Sequence, residues 1–232
     1  MQGVSVIEDA SRGVTLPDMV DADTSYDRTA DGRQKLLRAA RRLIGQRPGR
    51  VTTVDEVLRE AGVNRRVFYR HFRSKDELVL AMVEQTGANV EAELEAVVAA
   101  CDEPVAALAG YIKHTLAIGW DAHRSRDGQA FLSPEVGMTA GIGGALEAVY
   151  ARHRAILRRV ISEGRDSGAL PLADPDRDTF ALHAVLIRHL QVRVQGLQGL
   201  YPGEDVGTDL DTVSTGVLRL FSAAFGALRS LC

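Results

Sequence analysis

The sequence predicts an all-α protein with about nine helices: an N-terminal three-helix domain with a helix-turn-helix, followed by a C-terminal helical bundle. Apolar residues recur every three or four positions along most of the 232 residues, as they do in amphipathic helices. No run alternates between apolar and polar residues as a half-buried strand does. Capping residues precede the apolar runs and Gly or Pro follows them, which marks helix starts and ends.

The composition is that of a soluble globular protein, because 45% of the residues are apolar and 25% are charged. Two cysteines are too few for a disulfide framework or a thiolate metal site. No apolar run is long enough to span a bilayer, and residues 1–27 lack the pattern of an export signal. We therefore expect a cytoplasmic protein that does not enter membranes.

The first 45 residues divide into an arm and a helix. Residues 1–27 contain Gly, Pro, Ser and several Asp without sustained periodicity, so we expect a mobile acidic arm. A first helix is predicted over residues 28–45, and Gly45 and Pro48 end it. Its apolar residues share one face: Leu36, Leu37, Ala40, Leu43 and Ile44.

Two short helices are predicted next. Thr53 and Glu56 have the spacing of a capping box, which starts the second helix. Gly62 ends it, because glycine adopts the positive φ of a sharp turn at little cost. Asn64 is a favourable N-cap for a third helix over residues 65–71. Two short helices joined by a tight turn form a helix-turn-helix, whose second helix can enter the major groove of DNA.

Positive charge is concentrated in this part of the chain, although the net charge of the protein is only −3. Residues 28–75 contain 14 Lys or Arg and four acidic residues, a balance of +10, so the rest of the chain carries −13. A segment with this excess of positive charge is suited to binding a polyanion, whereas the acidic remainder of the chain is not.

The third helix has residues for an inner and an outer face. Phe68 and Phe72 suit the inner face, which fixes the angle of the helix. Arg65 and Arg66 lie in the first turn, where Arg can donate two parallel hydrogen bonds to guanine, and Val67 can contact a thymine methyl group.

Contacts to the DNA backbone are expected near the helix ends. Thr52 or Thr53 offers a hydroxyl at the start of the second helix. Tyr69 and His71 lie near the end of the third helix, and Lys75 adds charge at the start of the next.

The rest of the chain is predicted to be helical. A second capping box, from Ser74 to Glu77, opens a long helix that continues towards Val98. Gly, Pro and capping residues separate the helices that follow, which are predicted over residues 104–122, 128–140, 143–167, 175–199 and 208–229.

The run from about Arg33 to Val83 resembles the N-terminal DNA-binding domain of the TetR family of bacterial transcriptional regulators, above all in residues 52–83, TTVDEVLREAGVNRRVFYRHFRSKDELVLAMV. The shared features are the paired Thr, the Ala-Gly-Val turn, the Phe-Tyr-x-His-Phe run and the Ser-Lys-Asp-Glu-Leu that follows. The resemblance implies that Phe68 and Phe72 belong to the core. It also implies that the following residues face DNA: Thr52 or Thr53, Arg65, Arg66, Val67, Tyr69, His71 and Lys75. Arg65 and Arg66 depart from the mixed residues usual after the cap, and we take guanine as their first target.

The resemblance also implies the organisation of the whole chain. Residues 28–75 would form the DNA-binding domain, and residues 76–232 would bind a small, partly apolar ligand and form a homodimer through the last two helices. It implies a repressor that such a ligand releases from its DNA operator.

Two sets of residues are candidates for these roles in the C-terminal part. Candidate ligand contacts are Tyr111, His114, Trp120, Phe131, Met138 and Phe180. Apolar faces of the last two helices contain the candidate dimer contacts, which are Val185, Leu186, Leu190, Leu197, Val217, Phe221 and Ala224. Burial within a single subunit explains both sets equally well from the residues alone.

Two alternatives stay open. The protein can be a DNA-binding regulator without a small-molecule ligand, constitutive or controlled by a protein partner, or a small helical enzyme. The sequence contains no nucleophile elbow and no paired carboxylates in an apolar setting. Its histidines lack metal-ligand spacing, and the glycine-rich residues 137–144 lack the other features of a phosphate loop. We therefore predict no catalytic residue, metal or cofactor.

Overall fold

The computed structural model describes residues 21–47, 50–121, 124–197 and 209–227, and all regular structure in these ranges is helical. This confirms the predicted all-α fold. In chain order the helices are α1 (Asp21–Gln46), α2 (Val54–Ala61), α3 (Arg65–His71), α4 (Lys75–Ala99), α5 (Pro104–Trp120), α6 (Arg124–Phe131), α7 (Pro134–Gly137), α8 (Ile142–Asp166), α9 (Pro175–Leu197) and α10 (Leu210–Ala224).

Several helix boundaries differ from the prediction, and the last helix, predicted over residues 208–229, is α10, which ends at Ala224. Helix α1 begins at Asp21, inside the predicted arm, and the rest of the arm lies outside the described residues. The arm lacks apolar periodicity, which argues against a buried helix face. A helix can still form its backbone hydrogen bonds without such a face. The helix predicted over residues 128–140 is two helices, because Ser133 caps α7 and Pro134 starts it.

Local capping defines the helix-turn-helix as the sequence predicts. The Thr53 hydroxyl accepts from the Glu56 N–H at 3.2 Å, and the Thr53 N–H donates to the Glu56 carboxylate at 2.9 Å. Gly62 has a φ of 64° and ends α2. The Asn64 side chain accepts from the Val67 N–H at 3.1 Å and starts α3.

The bundle is built around α5, which contacts α4, α6, α8, α9 and α10. Large apolar side chains fill its centre, and Tyr111 is buried among them. The Tyr111 hydroxyl donates to the backbone oxygen of His153 at 3.0 Å, which satisfies its polar end. Buried members of this core include Leu94, Leu108, Ile112, Leu116, Leu157, Ile161, Leu182 and Leu186.

The N-terminal core includes residues from the other half of the chain. Phe68, Phe72 and Leu78 are buried in one cluster with Val136 and Val149, which belong to α7 and α8. Helix α6 packs extensively against α1. The helix-turn-helix domain therefore packs against the segment from α6 to α8 as well as against α4.

Candidate DNA interface and ligand cavity

Helix α3 is fixed from behind by two aromatic side chains. Phe68 and Phe72 are 0% and 2% exposed, so both are core residues as the sequence predicts. The Arg33 guanidinium of α1 lies 5.7 Å from the centre of the Phe72 ring. These contacts set the side of α3 that faces solvent.

The outer side of α3 is basic and contains one exposed aromatic residue. Tyr69 is 57% exposed, and its ring meets the edge of Phe68 at a centroid distance of 5.3 Å. Sequence reasoning missed two arginines here, although Arg70 follows Arg66 at the helical spacing of four residues. We define the recognition surface as the exposed residues Arg65, Arg66, Tyr69, Arg70 and Arg73.

Arg65 is paired with an acid of the neighbouring helix. Its guanidinium donates to the Asp55 carboxylate at 2.7 Å, and both side chains are 61% exposed. An exposed ion pair of this kind contributes at most about 1 kcal/mol. Arg65 can therefore exchange Asp55 for another hydrogen-bond acceptor at small cost.

The structure turns Val67 and His71 towards α1. A Cβ on Gly32 of α1 would lie 2.9 Å from Val67 Cγ1 and 3.5 Å from His71 Nε2. That His71 nitrogen is buried, and no described residue forms a hydrogen bond with it. Burial, with Arg70 and Arg33 nearby, lowers the pKa of His71. Val67 and His71 are four residues apart, so their side chains share one side of α3. This side is not the recognition surface.

Thr52 and Lys75 meet at a buried carboxylate from α7. The Thr52 N–H and Lys75 Nζ both donate to Glu135 Oε1, each at 2.9 Å. Glu135 is only 8% exposed and Thr52 is 5% exposed. We call this arrangement the Glu135 bridge. The Thr53 hydroxyl is occupied in its own capping box, with its oxygen 3.0 Å from Glu56 Oε2.

A cavity of about 130 Å³ lies between α4, α5, α6, α8 and α9. Of the predicted ligand contacts, Tyr111 and Phe131 line it. His114 lies beside it, with Nε2 3.0 Å from the carboxylate of the lining residue Glu93. Most of the wall is apolar, and includes Val90, Leu94, Ile118, Leu132, Ile187 and Leu190.

The other predicted ligand contacts lie elsewhere. Met138 at the end of α7 is 72% exposed, and Phe180 on α9 is 67% exposed. Trp120 is not in the cavity wall, and the Arg193 guanidinium lies 5.0 Å from its ring centre. Aromatic character alone does not predict which side of a helix faces a cavity.

Two polar groups of the cavity wall lack protein partners. Thr115 Oγ1 and His183 Nε2 are both buried without a hydrogen bond to any described residue. The His183 ring lies edge-on to Tyr150 at 5.2 Å, and burial raises the pKa of Tyr150 to about 12. Sequence reasoning missed all three residues. The available signal was that Thr115 follows Tyr111 by four residues on one helix.

The predicted dimer contacts divide between core and surface. Leu186, Leu190, Val217 and Phe221 are buried within the subunit. Val185 is half-buried and Ala224 is exposed, while the side chain of Leu197 lies outside the described residues. The exposed sides of α9 and α10 contain Phe180, Ala181, Ala184, Thr215, Gly216, Leu220, Ala223 and Ala224.

The described residues contain neither a cluster of metal ligands nor a helix that could span a membrane. Within the described ranges, no group of three or more His, Cys, Asp or Glu could hold a metal ion. No helix in those ranges is both long and apolar enough to cross a bilayer.

A basic helix-turn-helix seated on an all-helical bundle defines a class of DNA-binding transcriptional regulators. Residues 36–82 match the family model described as bacterial regulatory proteins, tetR family. This match shows a DNA-binding domain of the TetR type at residues 36–82 and confirms the predicted resemblance to the TetR family. No curated protein sequence is a significant match.

Solved structures share the fold at low sequence identity. A TetR-family regulator from Rhodococcus sp. is 15% identical with a TM-score of 0.69, over 84% of this chain and 99% of that one. FadR from Bacillus subtilis in complex with stearoyl-CoA is 16% identical with a TM-score of 0.64, over 82% and 98%. RolR in complex with resorcinol is 20% identical with a TM-score of 0.56, over 89% and 98%.

His183 predicts a pH dependence of stability. Burial, followed by the charge of Arg154 and by His153, lowers the pKa of His183 from 6.5 to about 4. The folded protein therefore binds fewer protons than the unfolded chain, so stability is full above pH 6.5 and falls as the pH drops towards 4. We expect this residue alone to remove roughly 2 kcal/mol between pH 7 and pH 5.

Urea unfolding at both pH values, for the wild type and for His183→Gln, measures this effect. The substitution should reduce the loss on acidification by the amount assigned to His183. An unchanged loss in the variant would show that His183 does not cause it.

Proposed function

We propose that the protein is a homodimeric repressor that acts in the cytoplasm and leaves its operator when a small molecule occupies the cavity. Residues 28–75 are its DNA-binding domain, and residues 76–232 bind the ligand and the second subunit. The observation that carries the proposal is the Glu135 bridge, because it joins the segment that lines the cavity to the helix-turn-helix.

The recognition surface supports the DNA contacts. Arg65 and Arg66, in the first turn of α3, are assigned to base edges, with guanine as the first candidate. Tyr69, Arg70 and Arg73 are assigned to phosphates, because their side chains are exposed near the end of the same helix. Val67 and His71 are not assigned to DNA, since both pack towards α1.

Exposed small residues support a dimer interface on α9 and α10. Ala181, Ala184 and Gly216 let helices of two subunits approach closely, and Leu220 supplies apolar surface at 63% exposure. A two-fold axis through these helices would present two recognition helices to half-sites about 34–36 Å apart, or a multiple of that distance.

The segment from α6 to α7 supports a route from the cavity to the DNA-binding domain. Helix α6 lines the cavity with Asp127 and Phe131, and Asp127 Oδ1 lies 3.2 Å from Arg41 Nε of α1. Glu135 follows α6 by one short turn. A ligand that binds better when α6 is displaced would therefore shift the population away from the DNA-binding spacing.

Structures of the same fold support an internal ligand site. FadR from Bacillus subtilis holds stearoyl-CoA and RolR holds resorcinol. The two molecules differ greatly in size, so the fold alone does not select a ligand.

Arg66→Ala tests the assignment of bases. We expect binding to a duplex selected by the wild-type protein from random sequences to weaken by about 1–3 kcal/mol, with relaxed preference at one base pair. Arg158→Ala, on α8, is the matched control and should bind as the wild type does. Fluorescence anisotropy measures both, and equal affinity of Arg66→Ala and wild type would contradict the assignment.

Ala184→Glu tests the dimer interface. A charge buried between two subunits without a partner is costly, so we expect sedimentation velocity to show monomers. The control is Ala96→Glu, the same change at an exposed position of α4. A dimer that survives Ala184→Glu but not Ala96→Glu would place the interface elsewhere.

Glu135→Gln tests the bridge. The amide oxygen can still accept from the Thr52 N–H but cannot neutralise Lys75. We expect a log affinity that falls more steeply with log salt, by about one unit, because one more charge can meet phosphate, whereas the lost ion pair loosens the start of α4 and opposes any gain in affinity. Glu147→Gln on α8 is the control. An unchanged salt slope for Glu135→Gln would mean that the bridge does not hold Lys75 from DNA.

A further inference from the structure

Two buried polar groups point to the chemistry of the ligand. Thr115 and His183 are each 6% exposed, both line the cavity, and Thr115 Oγ1 and His183 Nε2 have no hydrogen-bond partner among the described residues. Leaving a buried polar group unpaired is unfavourable, and most such groups in native proteins are satisfied. A valine would fill the space of Thr115 without that cost, so folding alone does not explain the hydroxyl.

The volume of the cavity is that of a ligand of about one ring. Its volume of about 130 Å³ is close to that of an engineered apolar cavity, roughly 150 Å³, that binds benzene. Tyr111, Phe131 and Tyr150 contribute aromatic surface to the wall. Aromatic side chains favour edge-on or offset contacts with another ring, so a planar ring fits these walls better than an acyl chain does.

The charged side chains around the cavity already have partners. Asp127 is paired with Arg41, Glu93 Oε2 lies 3.0 Å from His114 Nε2, and Arg154, which lies near His183, is paired with Glu147. A charged group that leaves water for this site would therefore find no unpaired opposite charge in the described wall. The lowered pKa of His183 keeps its imidazole neutral at pH 7, which agrees with an uncharged ligand.

We propose that the cavity binds an uncharged aromatic ring with one or two hydroxyl groups, a ligand of the phenol class, whose hydroxyls pair with Thr115 Oγ1 and His183 Nε2. The inference rests on the proposed function of the cavity as a ligand site. A hydroxyl both donates and accepts, so it satisfies the threonine hydroxyl and either tautomer of the imidazole.

Calorimetric titration of the full-length protein at pH 7 tests the ligand class with four probes: phenol, toluene, benzoate and decanoate. Toluene keeps the ring and replaces the hydroxyl by a methyl group, benzoate adds a charge, and decanoate replaces the ring by a chain. We expect phenol to bind at least about tenfold more tightly than the other three. Equal or tighter binding of any of the other probes would overturn the proposal.

Substitutions at Thr115 separate a ligand contact from a structural role. Thr115→Val should weaken phenol binding about tenfold, leave toluene binding unchanged and raise the thermal unfolding midpoint of the free protein. Thr115→Ser keeps the hydroxyl and should restore phenol binding. His183→Phe should also weaken phenol binding more than toluene binding. Wild-type phenol affinity in both Thr115→Val and His183→Phe would overturn the assignment.

Fluorescence anisotropy of a selected DNA duplex distinguishes the inference from the proposed function. Phenol binding without DNA release would support the ligand class and contradict ligand-induced release. DNA release by benzoate or decanoate, with no binding of phenol, would support the proposed function and overturn the ligand class.

Discussion

The placement of the helix-turn-helix depends on the buried carboxylate of Glu135. A buried charge is costly unless it is paired and hydrogen-bonded, and Glu135 Oε1 accepts from both the Thr52 N–H and Lys75 Nζ, whereas Glu135 Oε2 has no hydrogen-bond partner among the described residues. Those partners begin α2 and α4, so one side chain of a four-residue helix ties together two helix starts. Displacing α7 would leave this charge without its partners, which makes the position of α7 matter to the whole DNA-binding domain.

Helix α4 provides a second attachment between the two halves. Its first turns contribute Leu78 and Val83 to the N-terminal core, and its last turns contribute Leu94 and Val98 to the core of the bundle. Between them α4 meets α8 at Gly87, where a Cβ would lie 2.5 Å from Val149. Well-packed contacts of this kind do not deform continuously. The DNA-binding domain is therefore attached to the bundle through both α4 and α7.

The sequence predicts features that depend on neighbouring residues, such as helix caps. It does not predict contacts between residues that are far apart along the chain. Thr53, Gly62 and Asn64 were predicted correctly because a cap and its partner lie within a few residues. The partner of Lys75 is 60 residues away, at Glu135, so no local pattern revealed that its charge is already engaged. Met138 was assigned to the cavity because of its type, yet only the path of the chain after Ser133 determines that it faces solvent.

The ion pair between Asp55 and Arg65 gives the recognition surface an internal competitor. The Asp55 carboxylate offers Arg65 an oxygen acceptor much as a phosphate group does. If Arg65 contacts DNA as proposed, every duplex that reaches Arg65 must displace this acid at the same cost, which is at most about 1 kcal/mol. The cost cancels between the operator and other DNA, so Asp55 lowers affinity for both without changing their ratio. A carboxylate in this position limits how tightly the protein holds DNA, not which sequence it prefers.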